Sequence, residues 1–249
     1  MNKNEIAVVD YNDYTSEDST KRDNFIKSFG DSFSNMGFAI VRNHGVTSEL
    51  KAKLMETSKA FFELDVDTKL KYEDLALAGQ RGYISKLRES AKGVNVPDIK
   101  EFYHIGQTVC DGDAIENEYA KNIWPKEIIE FETVCQEVYQ RFEQTGSNLL
   151  KATALYLDLD ENYFSSKIHN GNSILRLLHY YPVKDLSQIP LGAVRAAAHG
   201  DINLITLLMG GSADGLEAQT LDGDSDAATG SIGAIMDVSE SMFVSKKYL

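Results

Sequence analysis

The chain has 249 residues, 43% hydrophobic and 25% charged, with a net charge of −13 at pH 7, which fits one large domain or a domain with a helical extension, able to bury a sizeable core. The acidic balance argues against a nucleic-acid partner and against an anionic membrane surface, since both need basic patches. Met1 to Glu5 open no apolar secretory segment, no run of about 18 apolar residues could span a bilayer, and Cys110 and Cys135 form no CxxC, so a cytoplasmic chain with reduced thiols is expected, a disulfide staying open as the alternative.

Ile6 to Val9 is a short apolar run consistent with a first strand. Phe25, Phe29 and Phe33 recur every fourth residue, with Ile26 and Met36 beside them, which makes one face of an amphipathic helix that Gly37 stops. Phe38 to Val41 reads as a strand. Thr47 suits the N-cap of a further helix whose buried side is Leu50, Leu54, Met55, Phe61 and Phe62. From Asp65 to Asp113 the periodicity is weak and loops are expected, with a strand at Glu101 to Ile105. Pro125 opens a long helical pattern through Phe131, Cys135, Val138, Phe142 and Leu149, and a break near Gly146 is expected because about 30 residues of helix would reach some 45 Å.

After Asn172 the pattern changes to short apolar or alternating runs: Ser173 to Tyr181, Ile202 to Met209, Leu216 to Thr220 and Gly233 to Val238, separated by prolines and glycines. Helices first and strands later predict an α+β chain whose second half is a β-sandwich or barrel. Residues 1–120 read as one region of helices and strands, and residues 121–249 as a long helix followed by a β-rich core.

His199-Gly200-Asp201 stands at the entry to the run Ile202 to Met209. Side chains two apart on an extended segment share a face, so an imidazole and a carboxylate converge there. A 2-His-1-carboxylate facial triad for Fe(II) requires two such legs, and it leaves metal positions open for O2 and a co-substrate. Taken alone, an HxD tripeptide is far more often a solvated loop.

Its surroundings are more specific. The stretch RAAAHGDINLITLLMGGSADGLEAQ (Arg195 to Gln219) resembles the iron-binding segment of the isopenicillin N synthase-like dioxygenases. In the same order as in that family come MGFAIVRNHGV (Met36 to Val46), FFELDVDTKLKY (Phe61 to Tyr72), RGY (Arg81 to Tyr83), PDIKEFYHIGQ (Pro97 to Gln107), NIWP (Asn122 to Pro125) and ILRLLHYYP (Ile174 to Pro182). The likeness covers nearly all of residues 6 to 222. It implies a double-stranded β-helix (jelly-roll, cupin-like) core with N-terminal helices. It also implies an oxidoreductase that uses Fe(II), O2 and usually 2-oxoglutarate on a small molecule, by hydroxylation, desaturation, ring closure or ethylene formation. By position, the resemblance makes His199 and Asp201 iron ligands and places Tyr180 at the co-substrate or substrate pocket. Arg176 shares the strand face of Tyr180, and either lines that pocket or pairs with a carboxylate. His44 falls in a structural turn; His104 and His169 are packing or surface residues; His179 faces away from Tyr180 and has no ligand role.

The family also places a second histidine ligand, and an arginine and serine for 2-oxoglutarate, downstream of the HxD pair. Here the last histidine is His199 and the last arginine is Arg195, the segment Asp224 to Gly230 fits poorly, and the likeness ends after Met242. The last strands and the C-terminal helix of the family are therefore expected to be missing, whether by frameshift, premature stop, gene decay or a natural short form. Lys246 and Lys247 read as a solvated tail. The competing expectation is a non-catalytic relative or unstable remnant. GxGxxG after a strand, GxxxxGK[ST] and GxSxG are all absent, which leaves a nucleotide-binding protein or serine hydrolase without support.

Overall fold

The computed structural model describes residues 6–89, 96–185, 187, 189–195, 203–210, 217–218, 230–231 and 241–246. The chain divides into two compact units, each built from separated segments: residues 1–48, 141–169 and 200–249 form the first, and residues 49–140 and 170–199 the second. The α+β expectation holds in both.

The first unit opens with β1 (Val8–Asp10), the single turn α1 (Tyr11–Tyr14), α2 (Ser19–Met36) and β2 (Phe38–Arg42). Asp18 caps α2 by accepting from the Thr20 amide at 2.9 Å, and Gly37, in the left-handed region at φ 74°, closes it with a bond to the Phe33 carbonyl. Phe25, Phe29 and Phe33 stack along one face, with centroids 5.7 and 4.6 Å apart, and pack with Val9, Ala39 and Val41. Burying each ring is worth about 2–3 kcal/mol, an upper figure. The buried Ser32 ties the strands to the helix: its hydroxyl accepts from the Ala7 amide and donates to the Phe38 carbonyl.

In the same unit, β6 (Ile205–Met209) and β9 (Ser241–Lys246) complete a four-stranded sheet in the order β1-β2-β9-β6. β1 and β2 run parallel, and β9 is antiparallel to both of its neighbours. Lys246 thus lies in a paired strand, opposite Ile205, where a tail was expected, and Lys247 lies outside the described residues. A two-residue ladder joins β7 (Glu217–Ala218) to β8 (Gly230–Ser231). The strand expected at Gly233 to Val238 lies outside the described residues.

Asn43-His44-Gly45 forms the expected turn, with positive φ at Asn43 (54°) and Gly45 (90°). The Asn43 amide donates to Asp10, and Thr145 donates to the His44 carbonyl at 2.6 Å.

The second unit holds α3 (Ser48–Phe62, but for its first residue), α4 (Val66–Leu70), a 3-10 turn at Leu75–Leu77, and a three-stranded antiparallel sheet, β3-β4-β5. Its strands are β3 (Gly82–Ile84), β4 (Glu101–Gly106) and β5 (Ile174–His179). The loops expected from Asp65 to Asp113 therefore contain α4, the 3-10 turn and β3. These are too short to show periodicity, and caps create them: Asp65 accepts from Thr68 and Asp74 from Ala76.

The long helix is α5 (Phe131–Tyr156), followed by the single turn α6 (Ser165–Ile168). It starts six residues later than Pro125 suggested, and it runs through Gly146 without a break. The glycine serves packing instead: a Cβ there would lie 3.2 Å from Leu207 Cδ1, so its absence admits β6. No helix among the described residues is long and apolar enough to cross a membrane. Cys110 is exposed and Cys135 buried, both as thiols.

Candidate active site

In the second unit, period-two alternation sorts the sheet into two chemically distinct faces. The β4–β5 register sets Phe102 opposite Leu178 and His104 opposite Arg176 on one face. On the other it sets Glu101 opposite His179 and Tyr103 opposite Leu177.

The second of these faces is closed. Phe61 of α3 packs edge-on against Tyr83 and Tyr103, with Phe131 beside them. Beneath this cover Glu101 is 0% exposed. It accepts from Lys69 Nζ at 2.9 Å, Tyr83 Oη at 2.5 Å and His179 Nδ1 at 2.8 Å. Burial alone would raise its pKa, but these donors outweigh burial and hold the carboxyl down at about 2. Lys69, also buried, spends a further proton on the Phe62 carbonyl. The His179 ring stacks on Phe62 at 4.9 Å and points away from the face of Tyr180, as its strand position requires.

The first face carries Arg176, with Tyr180 one residue beyond the end of β5 and on the same side by alternation. Arg176 donates from Nε to His104 Nε2 at 2.7 Å and from Nη2 to Glu89 at 2.7 Å, and its guanidinium lies 4.2 Å over the Phe102 ring. Glu89 also meets Lys100 Nζ at 2.7 Å, and Lys100 meets Asp98 at 2.8 Å. Of the two roles open to Arg176, pairing with a carboxylate is therefore realised, yet about a third of its side chain stays exposed. Tyr180 is 39% exposed. Partial burial raises its hydroxyl pKa, Lys100 and Arg176 pull it down, and Asp98 and Glu89 push it up.

His199 and Asp201, the expected iron ligands, lie outside the described residues, as does the entry to the strand that follows them. Among the described residues no cluster of His, Cys, Asp and Glu could hold a metal. His104 proves to be a buried polar residue engaged with Arg176, and His169 is exposed. The partners that sequence reasoning missed are Glu89, Asp98, Lys100 and His104. Alternation in the run Lys100 to Ile105 was the available signal, since it puts Lys100, Phe102 and His104 on one side.

Comparison with known proteins gives a consistent picture. Residues 6–127 match the family model described as the N-terminal region of the non-haem dioxygenase in morphine synthesis. The chain is 30% identical over 228 residues to the 2-oxoglutarate-Fe(II) type oxidoreductase ppzD of Metarhizium rileyi, covering 86% of this chain and 62% of that protein. It is 29% identical over 226 residues to the proline hydroxylase buaE of Petromyces alliaceus, covering 86% and 67%. The chain thus spans about two thirds of the length of these curated relatives. Among solved structures, a 2OG-Fe(II) oxygenase family protein from Caulobacter crescentus is 34% identical with TM-score 0.80, over 97% of this chain and 73% of that one. A Neurospora crassa protein crystallised with alpha-KG and thymine is 26% identical with TM-score 0.79, over 97% and 73%.

Proposed function

Since the chain belongs to the Fe(II)- and 2-oxoglutarate-dependent oxygenase family, we propose that it oxidises a small organic molecule with O2 and 2-oxoglutarate, by hydroxylation, desaturation, ring closure or ethylene formation. In this reading His199 and Asp201 hold the metal through an imidazole nitrogen and a carboxylate oxygen, a donor pair suited to Fe(II). Bound iron supplies the oxidative chemistry, with 2-oxoglutarate as the source of electrons.

The residues on the open face of β5 bind and orient. A guanidinium fixed by His104 and Glu89 meets a planar carboxylate as a point of positive charge with directed N–H groups. The Tyr180 hydroxyl, kept protonated by its surroundings, offers a proton to an oxygen acceptor beside it. The observation that carries the reading is this open face, where arginine and tyrosine stand on one side of a strand. The jelly-roll core named by the family resemblance belongs to the same proposal.

The test is succinate formation by the purified protein with Fe(II), ascorbate and 2-oxoglutarate. Proline and thymine head the substrate panel, because one relative is named a proline hydroxylase and another was crystallised with thymine. Turnover that His199→Ala abolishes is the expected result. Succinate no higher than in an iron-free control would sink the reading in favour of a non-catalytic relative.

A further inference from the structure

The side chain that holds Arg176 is a histidine in one defined state. His104 is 8% exposed, and its Nδ1 lies 2.6 Å from the Gly79 carbonyl oxygen. A carbonyl only accepts, so Nδ1 carries the proton. On the far side of the ring, Nε2 lies 2.7 Å from the Nε–H of Arg176, which only donates, so Nε2 is bare. The imidazole is therefore a neutral Nδ1–H tautomer, an uncommon partner for an arginine, which more often pairs with a carboxylate.

The surroundings enforce that state. Burial is the first cause that lowers the His104 pKa, to about 4, and the charge of Arg176 is the second; Gly79 and Glu89 oppose them, and Arg81 adds a further lowering. The guanidinium is thus held at Nε by His104, at Nη2 by Glu89 and across its plane by Phe102. Its Nη1 edge has no partner among the described residues.

We propose that His104 is a positioning residue: as a neutral acceptor anchored on Gly79, it sets the plane of Arg176 so that the free edge of the guanidinium meets a carboxylate ligand beside Tyr180. This rests on the reading of Arg176 and Tyr180 as pocket residues given above. A carboxylate in place of His104 would set a second negative charge beside an arginine that Glu89 already pairs, whereas a neutral imidazole orients the guanidinium without adding charge.

Two measurements test the inference. In the unaltered chain, nitrogen-15 NMR of the histidine rings needs no ligand and no variant. The expected signature is a protonated Nδ1 and a bare Nε2 for His104 at pH 7; an imidazolium or the Nε2–H form overturns the inference, whatever the protein catalyses. The second is calorimetric binding of 2-oxoglutarate, without oxygen, to the iron-loaded protein and to His104→Phe, His104→Gln and Arg176→Ala, each checked for a retained thermal transition. His104→Phe is expected to weaken binding about tenfold, the loss of one charge-assisted contact, without adding to Arg176→Ala in the double variant. His104→Gln, which keeps an acceptor oxygen and an N–H, is expected to recover most of that loss. Equal affinity in His104→Phe and the parent overturns the positioning role while leaving the oxygenase reading intact. Failure of the parent to bind 2-oxoglutarate strikes the oxygenase reading and with it the ligand part of the inference, while the ring signature still decides the tautomer.

Discussion

The two faces of the β3-β4-β5 sheet show one strand pair spending polar residues in opposite ways. On the closed face, Glu101 is sealed under aromatic rings and takes donors from α4, β3 and β5, so the carboxylate locks those elements together. On the open face, Arg176 has a neutral histidine and a carboxylate as partners and remains partly exposed. A carboxylate with donors on both oxygens and no solvent in reach serves the fold. A polar group that is oriented yet keeps a hydrogen-bonding edge is prepared for a visitor. Burial and saturation together, not charge alone, separate the two.

The largest test of that contrast is Glu101→Ala. It strands the Lys69 ammonium, which is 3% exposed on its side chain, and is expected to cost about 3–5 kcal/mol in urea unfolding. Replacing both partners, as Lys69→Met with Glu101→Leu, should cost less than the single change, because no charge is left behind. A loss under about 1 kcal/mol for Glu101→Ala would erase the distinction between the faces.

Next in size is Gly106→Ala, where the new Cβ would sit 2.0 Å from Arg81 Cζ. Arg81 is 1% exposed and bonded to the Gln80 carbonyl and to Asn172, so it cannot yield cheaply. A loss of about 1–3 kcal/mol is expected.

Acid should separate the faces by pH window. The His104 pKa falls from 6.5 to about 4 on folding, so between those values the unfolded chain takes a proton that the folded chain refuses. Stability on that account declines as pH drops from about 6.5 to about 4. Glu101 falls from 4.5 to about 2, so its contribution is whole above pH 4.5 and is lost as pH drops toward 2. Urea midpoints measured across pH should show both slopes, and His104→Phe should flatten only the upper one. The smallest effect is expected for Lys121→Ala on the surface, where the pair with Asp111 is solvent-screened and the melting temperature should not move measurably.

Much of the fold was legible from local pattern. The Phe25, Phe29, Phe33 repeat, the stop at Gly37 and the runs Phe38 to Val41 and Ser173 to Tyr181 all lie where elements formed, because each signals its period within a few residues. Gly146 was misread for the opposite reason: a mid-helix glycine looks like a break unless the neighbour that fills its place is known, and that neighbour, Leu207, lies 61 positions on. The site was legible in part. Arg176 and Tyr180 emerged from alternation on one strand, whereas Glu89 and His104 join them across 87 and 72 positions.

By itself, then, the order of residues settled which segments turn helical or extended, which way their apolar sides point, and which family the ordered motifs resemble. Those are short-range matters of sterics, capping and period. Strand register and packing decided the rest: that Glu101 meets Lys69, Tyr83 and His179, that His104 must be neutral, and that Arg176 is held without being neutralised by its neighbour on β4. Hydrogen-bond partners and local polarity set the protonation of a buried group, and both come into being only when distant strands lie side by side.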